Sequence, residues 1–435
     1  MRFRRTGVLA ATCALLATAA CGGSSDTGAS DTGASGGGSG ANAGAESGGV
    51  AKVGAILSLS GVYSTLGPPE KQAMTMGLEK LNEEGFLVGG KKYTMEIEYA
   101  DDKSDAATTG VAAFREMTQS KDLPLIGFGL GSSTYAPLLK RNPIPMVNIL
   151  DSTFPSILEF DPHLFLTRGD STTYVPGCVS YAKEKLGATS ISVISVKGEP
   201  YGEGLTQLVK KAAAAEGLTL GAVSEYPLGA TDYGNAIAQA TASKPDAIYL
   251  SSVTAVILPV LKQLRQSGYD GPVLHSSGVN PDQAEAILGD QFNTIMKDNY
   301  DCAGTLPTTS DNATTKQFAK DYAARWSGEY PQDLTMWAYD FPFVVAAAMT
   351  EAGSTTDPDK LFQALPKIKV PEGSISGWVP GEGDSFFTDR QARTPSEVTT
   401  WCQDKKTIAS AMVFDVEDGK VVNPKYRDNA CASVS

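Results

Sequence analysis

Residues 52–84 read KVGAILSLSGVYSTLGPPEKQAMTMGLEKLNEE. The short apolar run at the start is typical of a strand, and the stretch from 68 onwards has capping signals and apolar positions at helical spacing. The same strand–helix unit recurs along the chain, and this alternation predicts parallel sheets covered by helices. The predicted strands are 52–57, 93–99, 123–128, 144–149, 190–196, 219–225, 246–250 and 271–275. The predicted helices are 68–84, 104–119, 132–141, 171–186, 201–216, 231–242, 254–267, 280–288, 311–327, 334–352 and 357–366.

These units exceed what one sheet comfortably holds, so we predict an α/β fold with two Rossmann-like lobes, parallel central sheets and a multi-strand hinge. The break falls near residues 166–172, where the sequence LTRGDST interrupts the alternation. Open parallel sheets bind ligands outside the carboxyl ends of their strands, and two facing lobes form a cleft suited to a small solute. The first lobe is expected at about 50–167 and 306–372, and the second at about 168–305 and 373–435.

The charge of the chain limits its partners. The 435 residues include 36 basic and 49 acidic ones, which gives a net charge of −13. Such a surface repels phosphate backbones and argues against a nucleic-acid partner. The two histidines, His163 and His275, leave little room for a histidine-rich metal site or for histidine-based catalysis. We expect neither a metal nor a cofactor.

The first 49 residues are predicted to be an export and anchoring segment. Arginines precede an apolar run that is too short to span a bilayer, so residues 1–20 read as a signal peptide. Cys21 follows two alanines as in a bacterial lipobox, although Thr18 stands where leucine is usual. Residues 21–49, beginning with the lipidated Cys21, are otherwise mostly Gly, Ser, Ala, Thr and Asp, typical of a flexible tether. We therefore expect a lipid-anchored protein on the outer membrane face; the alternative is an ordinary secreted protein.

Four further cysteines fit an oxidising compartment, and three pairings of them are possible. Cys402 and Cys431 flank a predicted hairpin at 413–422, so we prefer to pair them, which leaves Cys178 with Cys302. The alternative is that some are buried free thiols. No CxxC spacing suggests zinc.

Five motifs, in this order, resemble the type I periplasmic solute-binding proteins of the leucine/isoleucine/valine-binding kind. The resemblance covers residues 51–370 and the last 65 residues only loosely. It implies a substrate-binding protein, not an enzyme, that acts as a monomer and delivers a branched-chain amino acid or related solute to the permease and ATPase subunits of an ABC importer. The motifs are VGAILSLSGVYSTLG at 53–67, YADDKSD at 99–105, LIGFGLGSST at 125–134, YGEGL at 201–205 and WAYDFPFVVAAAMTEAG at 337–353.

The same resemblance implies where the solute is held. The GLGSST stretch at 129–134 follows a strand and opens a helix, where free N–H groups and hydroxyls suit a carboxylate. A tyrosine at the start of a second-lobe helix would close over the apolar part of the solute. The alternative is that the serines are only helix caps and that the tyrosine is ordinary packing. The ligand-binding residues predicted in this way are Ser132, Ser133, Ser152, Thr153, Tyr201 and Ser277.

One departure from the family leaves the solute open. Relatives that bind α-amino acids often place an acid after a later strand of the second lobe, to meet the ammonium group. Here residues 275–278 read HSSG, and no acid follows until Asp282. Because an unpaired buried ammonium is costly, the ligand is an amino acid, an amide, a carboxylic acid or an aromatic acid, with Asp170 or Asp282 as a substitute acid.

Two other functions compete with solute transport. Gly127, Gly129 and Gly131 after a strand, with Asp151 further on, resemble a dinucleotide fingerprint. Ser132 stands where the last glycine belongs, and the motif follows the third strand of its lobe, not the first, so this enzyme hypothesis is weak. The other alternative is a ligand-sensing module for a separate signalling partner, which needs the same cleft.

Overall fold

The structure, a computed structural model, describes residues 45–433 except 153, 155, 253, 379 and 380. The signal peptide, Cys21 and most of the predicted tether therefore lie outside the described residues. The first strand begins at Ser47, so residues 47–49 belong to a sheet and not to the tether. They pair through backbone atoms with Lys92 and Tyr93. Because backbone pairing requires no apolar side chains, residues 47–49 do not show the apolar pattern by which the strand was predicted. No helix in the described part of the chain is long and apolar enough to cross a membrane.

Strands and helices alternate as the sequence predicted. The strands are β1 (Ser47–Leu57), β2 (Phe86–Val88), β3 (Lys91–Asp101), β4 (Ile126–Phe128), β5 (Met146–Asn148), β6 (Leu164–Leu166), β7 (Ser190–Lys197), β8 (Thr219–Pro227), β9 (Ala247–Ser251), β10 (Val273–His275), β11 (Asn299–Gly304), β12 (Phe387–Thr388), β13 (Gln391–Ala392), β14 (Ser396–Cys402), β15 (Thr407–Glu417) and β16 (Lys420–Tyr426). The helices are α1 (Gly67–Glu84), α2 (Val111–Arg115), α3 (Ser132–Leu139), α4 (Ser171–Glu184), α5 (Pro200–Glu216), α6 (Gly234–Thr241), α7 (Thr254–Gln266), α8 (Pro281–Leu288), α9 (Phe292–Ile295), α10 (Ala313–Arg325), α11 (Leu334–Ala352), α12 (Pro358–Ala364) and α13 (Ala430–Ser433).

The strands form two sheets of mostly parallel strands with flanking helices, which confirms the predicted fold class. The first sheet has the order β12-β13-β6-β5-β4-β1-β3-β2, and the second has the order β16-β15-β14-β11-β10-β9-β7-β8. Antiparallel pairs occur at the ends of the sheets, where β2 joins β3, β12 joins β13, and β14 to β16 form a meander. We call each sheet with its helices a lobe.

The central strands are buried on both faces, which is why they read as apolar runs. In β1, Val53, Ala55, Ile56 and Leu57 are at most 1% exposed. Parallel strands covered by helices on both sides require this continuous apolar character. Helix α11 packs on the same core as β1, so the last long helix belongs to the first lobe.

The described chain passes between the lobes three times, after β6, after β11 and after β13. The first passage falls within the predicted break at 166–172. The third comes later than the boundary expected near 373, because β13 pairs with the first sheet at Gln391 and Leu166 before β14 joins β11 in the second. A strand of two residues has no periodic pattern, so nothing in the sequence indicated this return to the first sheet.

Two disulfides lie in the second lobe. Cys178 of α4 is bonded to Cys302 of β11, and Cys402 at the end of β14 is bonded to Cys431 of α13. This is the pairing that the predicted hairpin favoured, and β15 with β16 forms that hairpin. The first bond ties a covering helix directly to a central strand.

Candidate functional site

A cavity of about 460 Å³ lies where the carboxyl ends of strands from both sheets meet. Residues that follow β1, β3, β4 and β5 line it from the first lobe, and residues that follow β7 and β10 line it from the second. This is the edge at which open α/β sheets bind ligands. The volume lies within the range of about 300–1,000 Å³ that is typical of small-molecule sites.

The two neighbouring serines of the GLGSST stretch have different surroundings. Ser132 is 1% exposed, and its hydroxyl donates a hydrogen bond of 2.7 Å to Oδ2 of Asp151. Its backbone N–H points to the same oxygen at 3.3 Å. Ser133 is exposed and lines the cavity. Ser132 therefore holds an internal carboxylate, and Ser133 is the serine of this pair that a solute can reach.

The predicted residues after β5 are only partly described. Ser152 lines the cavity, and its hydroxyl shares a hydrogen bond of 2.8 Å with the Tyr174 hydroxyl. Thr153 lies outside the described residues.

The predicted residues of the second lobe both reach the cavity. Tyr201 lines it, and its hydroxyl donates to the backbone oxygen of Ser276 at 2.5 Å. Burial raises the pKa of Tyr201 well above its ordinary value, so the phenol stays protonated. Ser277 also lines the cavity, and its N–H donates to Oδ1 of Asp301 at 3.1 Å.

Neither substitute acid lies at the cavity wall. Asp170 is 2% exposed and caps α4 by accepting a hydrogen bond from the N–H of Thr172. Asp282 is exposed and accepts a hydrogen bond from the N–H of Tyr330. The hypothesis that one of them meets an ammonium group has no geometric support.

Four other acids line the cavity, and the sequence analysis did not assign them to the site: Asp102, Asp151, Glu199 and Asp333. Two of them follow strands β3 and β5, and two cap the starts of helices α5 and α11. A search for acids at strand carboxyl ends and helix starts would have found them, since both kinds of position face the ligand edge of the sheet.

The charge of Asp151, from the first lobe, acts on Glu199 of the second lobe and on a nearby tyrosine. Burial raises the pKa of Glu199, and the negative charges of Glu203 and Asp151 raise it further, against backbone hydrogen bonds from Gly202 and Tyr201. Burial, then Glu199 and Asp151, raises the pKa of the Tyr63 phenol in the same way. Asp151 and Glu199 thus line the same cavity from different lobes, and the charge of Asp151 disfavours ionisation of Glu199.

Arg168 is the one basic residue among the described cavity-lining residues. It donates hydrogen bonds of 3.0 Å to the backbone oxygens of Gly169 and Leu150. Its guanidinium lies 4.0 Å from the centre of the Trp337 ring. Burial raises the pKa of Asp333 to about 6, although the positive charge of Arg168 lowers it.

The glycines that resemble a dinucleotide fingerprint have packing roles instead. A Cβ atom on Gly127 would lie 2.6 Å from the Phe341 ring, and one on Gly129 would lie 3.0 Å from Oε2 of Glu70. The buried Glu70 carboxyl has a pKa raised well above its ordinary value, by burial and then by Asp102.

A family model described as periplasmic binding protein matches residues 50–406. A comparison with curated proteins found no match.

Solved structures of the same fold cover most of the chain. The leucine-binding protein LivK from Thermotoga maritima is 21% identical, with a TM-score of 0.69, and the match covers 87% of this chain and 99% of that one. LivJ from Streptococcus pneumoniae, solved with isoleucine, is 18% identical with a TM-score of 0.66 and covers 87% and 99%. A solute-binding protein from Rhodopseudomonas palustris, solved with 3,4-dihydroxybenzoic acid, is 19% identical with a TM-score of 0.67 and covers 87% and 99%. At these identities the likeness concerns the fold.

Proposed function

The chain belongs to the periplasmic binding protein family, and from this premise we propose that it is the extracytoplasmic solute-binding lipoprotein of an ABC importer. Acylated Cys21 and the tether hold it at the outer face of the cell membrane. The cavity takes up one small solute, a branched-chain amino acid or a related amide or carboxylate. The protein acts as a monomer and releases the solute unchanged.

The observation that carries this proposal is that residues of both lobes line the cavity. Ser133 and Asp151 come from the first lobe, and Glu199, Tyr201 and Ser277 come from the second. A solute that touches both sets binds better when the lobes are close together, and only such differential binding shifts a population towards a closed form.

The three passages between the lobes are the proposed hinge. Short segments at the ends of elements can absorb the backbone rotation of domain closure. The closed, loaded form then docks on the permease, and ATP hydrolysis by the associated ATPase drives the import of the solute.

The test is a binding screen with the purified protein after bound solutes have been removed by unfolding and refolding. Thermal shift and calorimetry with amino acids, amides, ureas and aromatic acids should give at least one hit of 1:1 stoichiometry, recovered chemically unchanged. Conversion of the hit into a product would support an enzyme, and no hit in any class would contradict solute capture. Uptake of the hit should fall in cells without the protein; unaffected uptake would support a sensing role.

A further inference from the structure

The wall of the cavity carries more acid than base. Asp102, Asp151, Glu199 and Asp333 line it, and Arg168 is the one cation among the described lining residues. Arg168 acts on Asp333 and on Tyr201, and its guanidinium donates to the backbone oxygen of Leu150, the residue before Asp151. In the described chain Arg168 forms no ion pair with Asp151 or Glu199, and neither carboxylate is paired with another basic side chain.

One carboxylate oxygen of Asp151 accepts hydrogen bonds from the described chain, and the other accepts none. It is 7% exposed, and both hydrogen bonds that it accepts, from the hydroxyl and the N–H of Ser132, go to Oδ2. No described residue donates to Oδ1 or forms an ion pair with this carboxylate. Since Asp151 lines the cavity, Oδ1 is available to a bound solute.

Glu199 is fixed from the opposite lobe. It is 8% exposed and caps α5, where its oxygens accept the N–H groups of Tyr201 at 3.0 Å and Gly202 at 2.7 Å. A carboxylate can accept about four hydrogen bonds. The two N–H groups use two of these positions, so the other two are open to a donor of the solute. No ion pair with a described residue involves it.

An amide at the cavity, independent of these acids, points to a solute that donates hydrogen bonds. Gln332 is 3% exposed, and its nitrogen donates to the backbone oxygen of Gly278 at 2.9 Å. This contact fixes the orientation of the amide, and its buried Oε1 has no donor among the described residues. A buried acceptor without a partner costs free energy, which an N–H group of the solute would recover.

We propose that the solute is a positively charged amine whose cationic nitrogen lies between Asp151 and Glu199. This inference rests on the proposed function. The cation replaces repulsion between two acids by attraction to both, and because the acids come from different lobes, it draws the lobes together. Neutral and anionic analogues of the same shape lack this contribution.

The first test compares ligand charge at constant shape on the wild-type protein. Leucinamide, 4-methylpentanamide and 4-methylpentanoate are a cation, a neutral amide and an anion on one branched hydrocarbon body, and tyramine, 3-(4-hydroxyphenyl)propanamide and 3-(4-hydroxyphenyl)propanoate are the same on one phenolic body. Calorimetry should give an affinity at least tenfold higher for the cation than for the anion in each series that binds. The same comparison is made with the best hit of the wider screen and its analogue without nitrogen.

The second test removes each charge with little change of shape. Asp151→Asn and Glu199→Gln should each lower the affinity for the cation at least tenfold while changing the affinity for the neutral analogue much less. Glu199→Asp, which keeps the charge, should lose less than Glu199→Gln. The matched control is Glu285→Gln, an exposed acid of α8 away from the cavity, which should leave both affinities unchanged.

The outcomes separate this inference from the function on which it rests. If a neutral or anionic solute binds best and the two variants bind it as wild type does, the inference is wrong and solute capture stands. Stabilisation by calcium chloride but by none of the amines would also overturn it. If no compound of any charge binds, the proposed function itself fails. A variant that does not fold leaves the wild-type comparison of charges decisive.

Discussion

The hydroxyl of Ser132 donates a hydrogen bond of 2.7 Å to Oδ2 of Asp151, which lies 19 positions further along the chain. The serine opens α3 after β4, and the aspartate follows β5. Because β4 and β5 are parallel neighbours, their carboxyl ends bring the two side chains together. An internal charge-assisted hydrogen bond therefore fixes one of the carboxylates that line the cavity.

Replacing Ser132 and Ser133 together by alanine should weaken solute binding at least tenfold and leave the fold intact. The Ser132 change removes a hydrogen bond to a charged group, worth about 1.5–3 kcal/mol, and the Ser133 change removes a hydroxyl at the cavity wall. Calorimetry with the identified solute measures the loss, and circular dichroism checks the fold. Unchanged affinity would reject the assigned roles. The single variants should differ, since only Ser132→Ala acts through Asp151.

Replacing Gly77 by alanine should destabilise the first lobe. A Cβ atom there would lie 2.0 Å from the backbone oxygen of Tyr339, so α1 and α11 would have to separate. Such overpacking costs about 1–3 kcal/mol, more than the gain of up to about 1 kcal/mol in helix propensity. Urea unfolding measures the change. Gly234→Ala is the control, because its nearest atom, at 3.2 Å, is the end of the Asp232 side chain. Equal stability of the two variants would contradict the close packing.

The stability of the protein should fall as pH rises from about 4.5 to about 7. Burial raises the pKa of Glu397 from its ordinary 4.5 to about 7, against hydrogen bonds from Thr309 and Leu306. Between these pH values the folded state binds the proton of Glu397 more strongly than the unfolded state does. The contribution of this group to stability is therefore fully present near pH 4.5 and is lost as the pH rises towards 7.

Glu397→Gln should flatten this dependence, by at most about 1.4 kcal/mol per pH unit. Unfolding by urea at several pH values between 5 and 8 gives the slope for each variant. Asp340, whose pKa burial raises to about 7, should retain part of the slope. The exposed Glu285→Gln serves as the reference with an unchanged slope. A wild-type stability that rises across this range would contradict the buried, protonated state of these acids.

Both disulfides should be present in the exported protein, and the longer loop should contribute more stability. Peptide mapping without reduction should recover Cys178 linked to Cys302 and Cys402 linked to Cys431. The sequence separations are 124 and 29, and the entropy of loop closure grows with length within a typical range of about 2–4 kcal/mol. Removing the first pair should therefore lower the melting temperature more than removing the second. Recovery of free thiols at these positions would refute the pairing.

Replacing Cys21 by alanine should release the protein from membranes, because the acyl chains are the only anchor that we propose. Fractionation of cells that express the wild type and the variant measures this. Cys13→Ala, within the predicted signal peptide, is the matched control and should leave the protein membrane-bound. A Cys21→Ala protein that still sediments with membranes would show that the lipobox interpretation is wrong.

The sequence was most informative where a single local pattern decides the structure. The apolar run of β1 and the helical spacing of α1 each occur within one segment, and both elements are present close to their predicted bounds. The two-residue strands β12 and β13 were missed because they depend on partners, Leu166 among them, that are far away in the sequence. Neither periodicity nor composition records such a pairing.

The site was predicted only in part for the same reason. Ser133, Ser152, Tyr201 and Ser277 line the cavity, since each follows a strand or begins a helix at that edge of the sheet, and their role in binding stays a prediction. The motif could not reveal that Ser132 turns away to hold Asp151.

The sequence by itself determined the alternation of strands and helices, the α/β class and the edge of each sheet at which a ligand is expected. These follow from periodicity and from the direction of parallel strands, both of which are local properties. Only the tertiary structure decided that Asp151 and Glu199 line one cavity from different lobes, while Arg168 acts on Asp333. The charge of a cavity is a sum over side chains that are brought together by packing, and so it appears only when the lobes have been assembled.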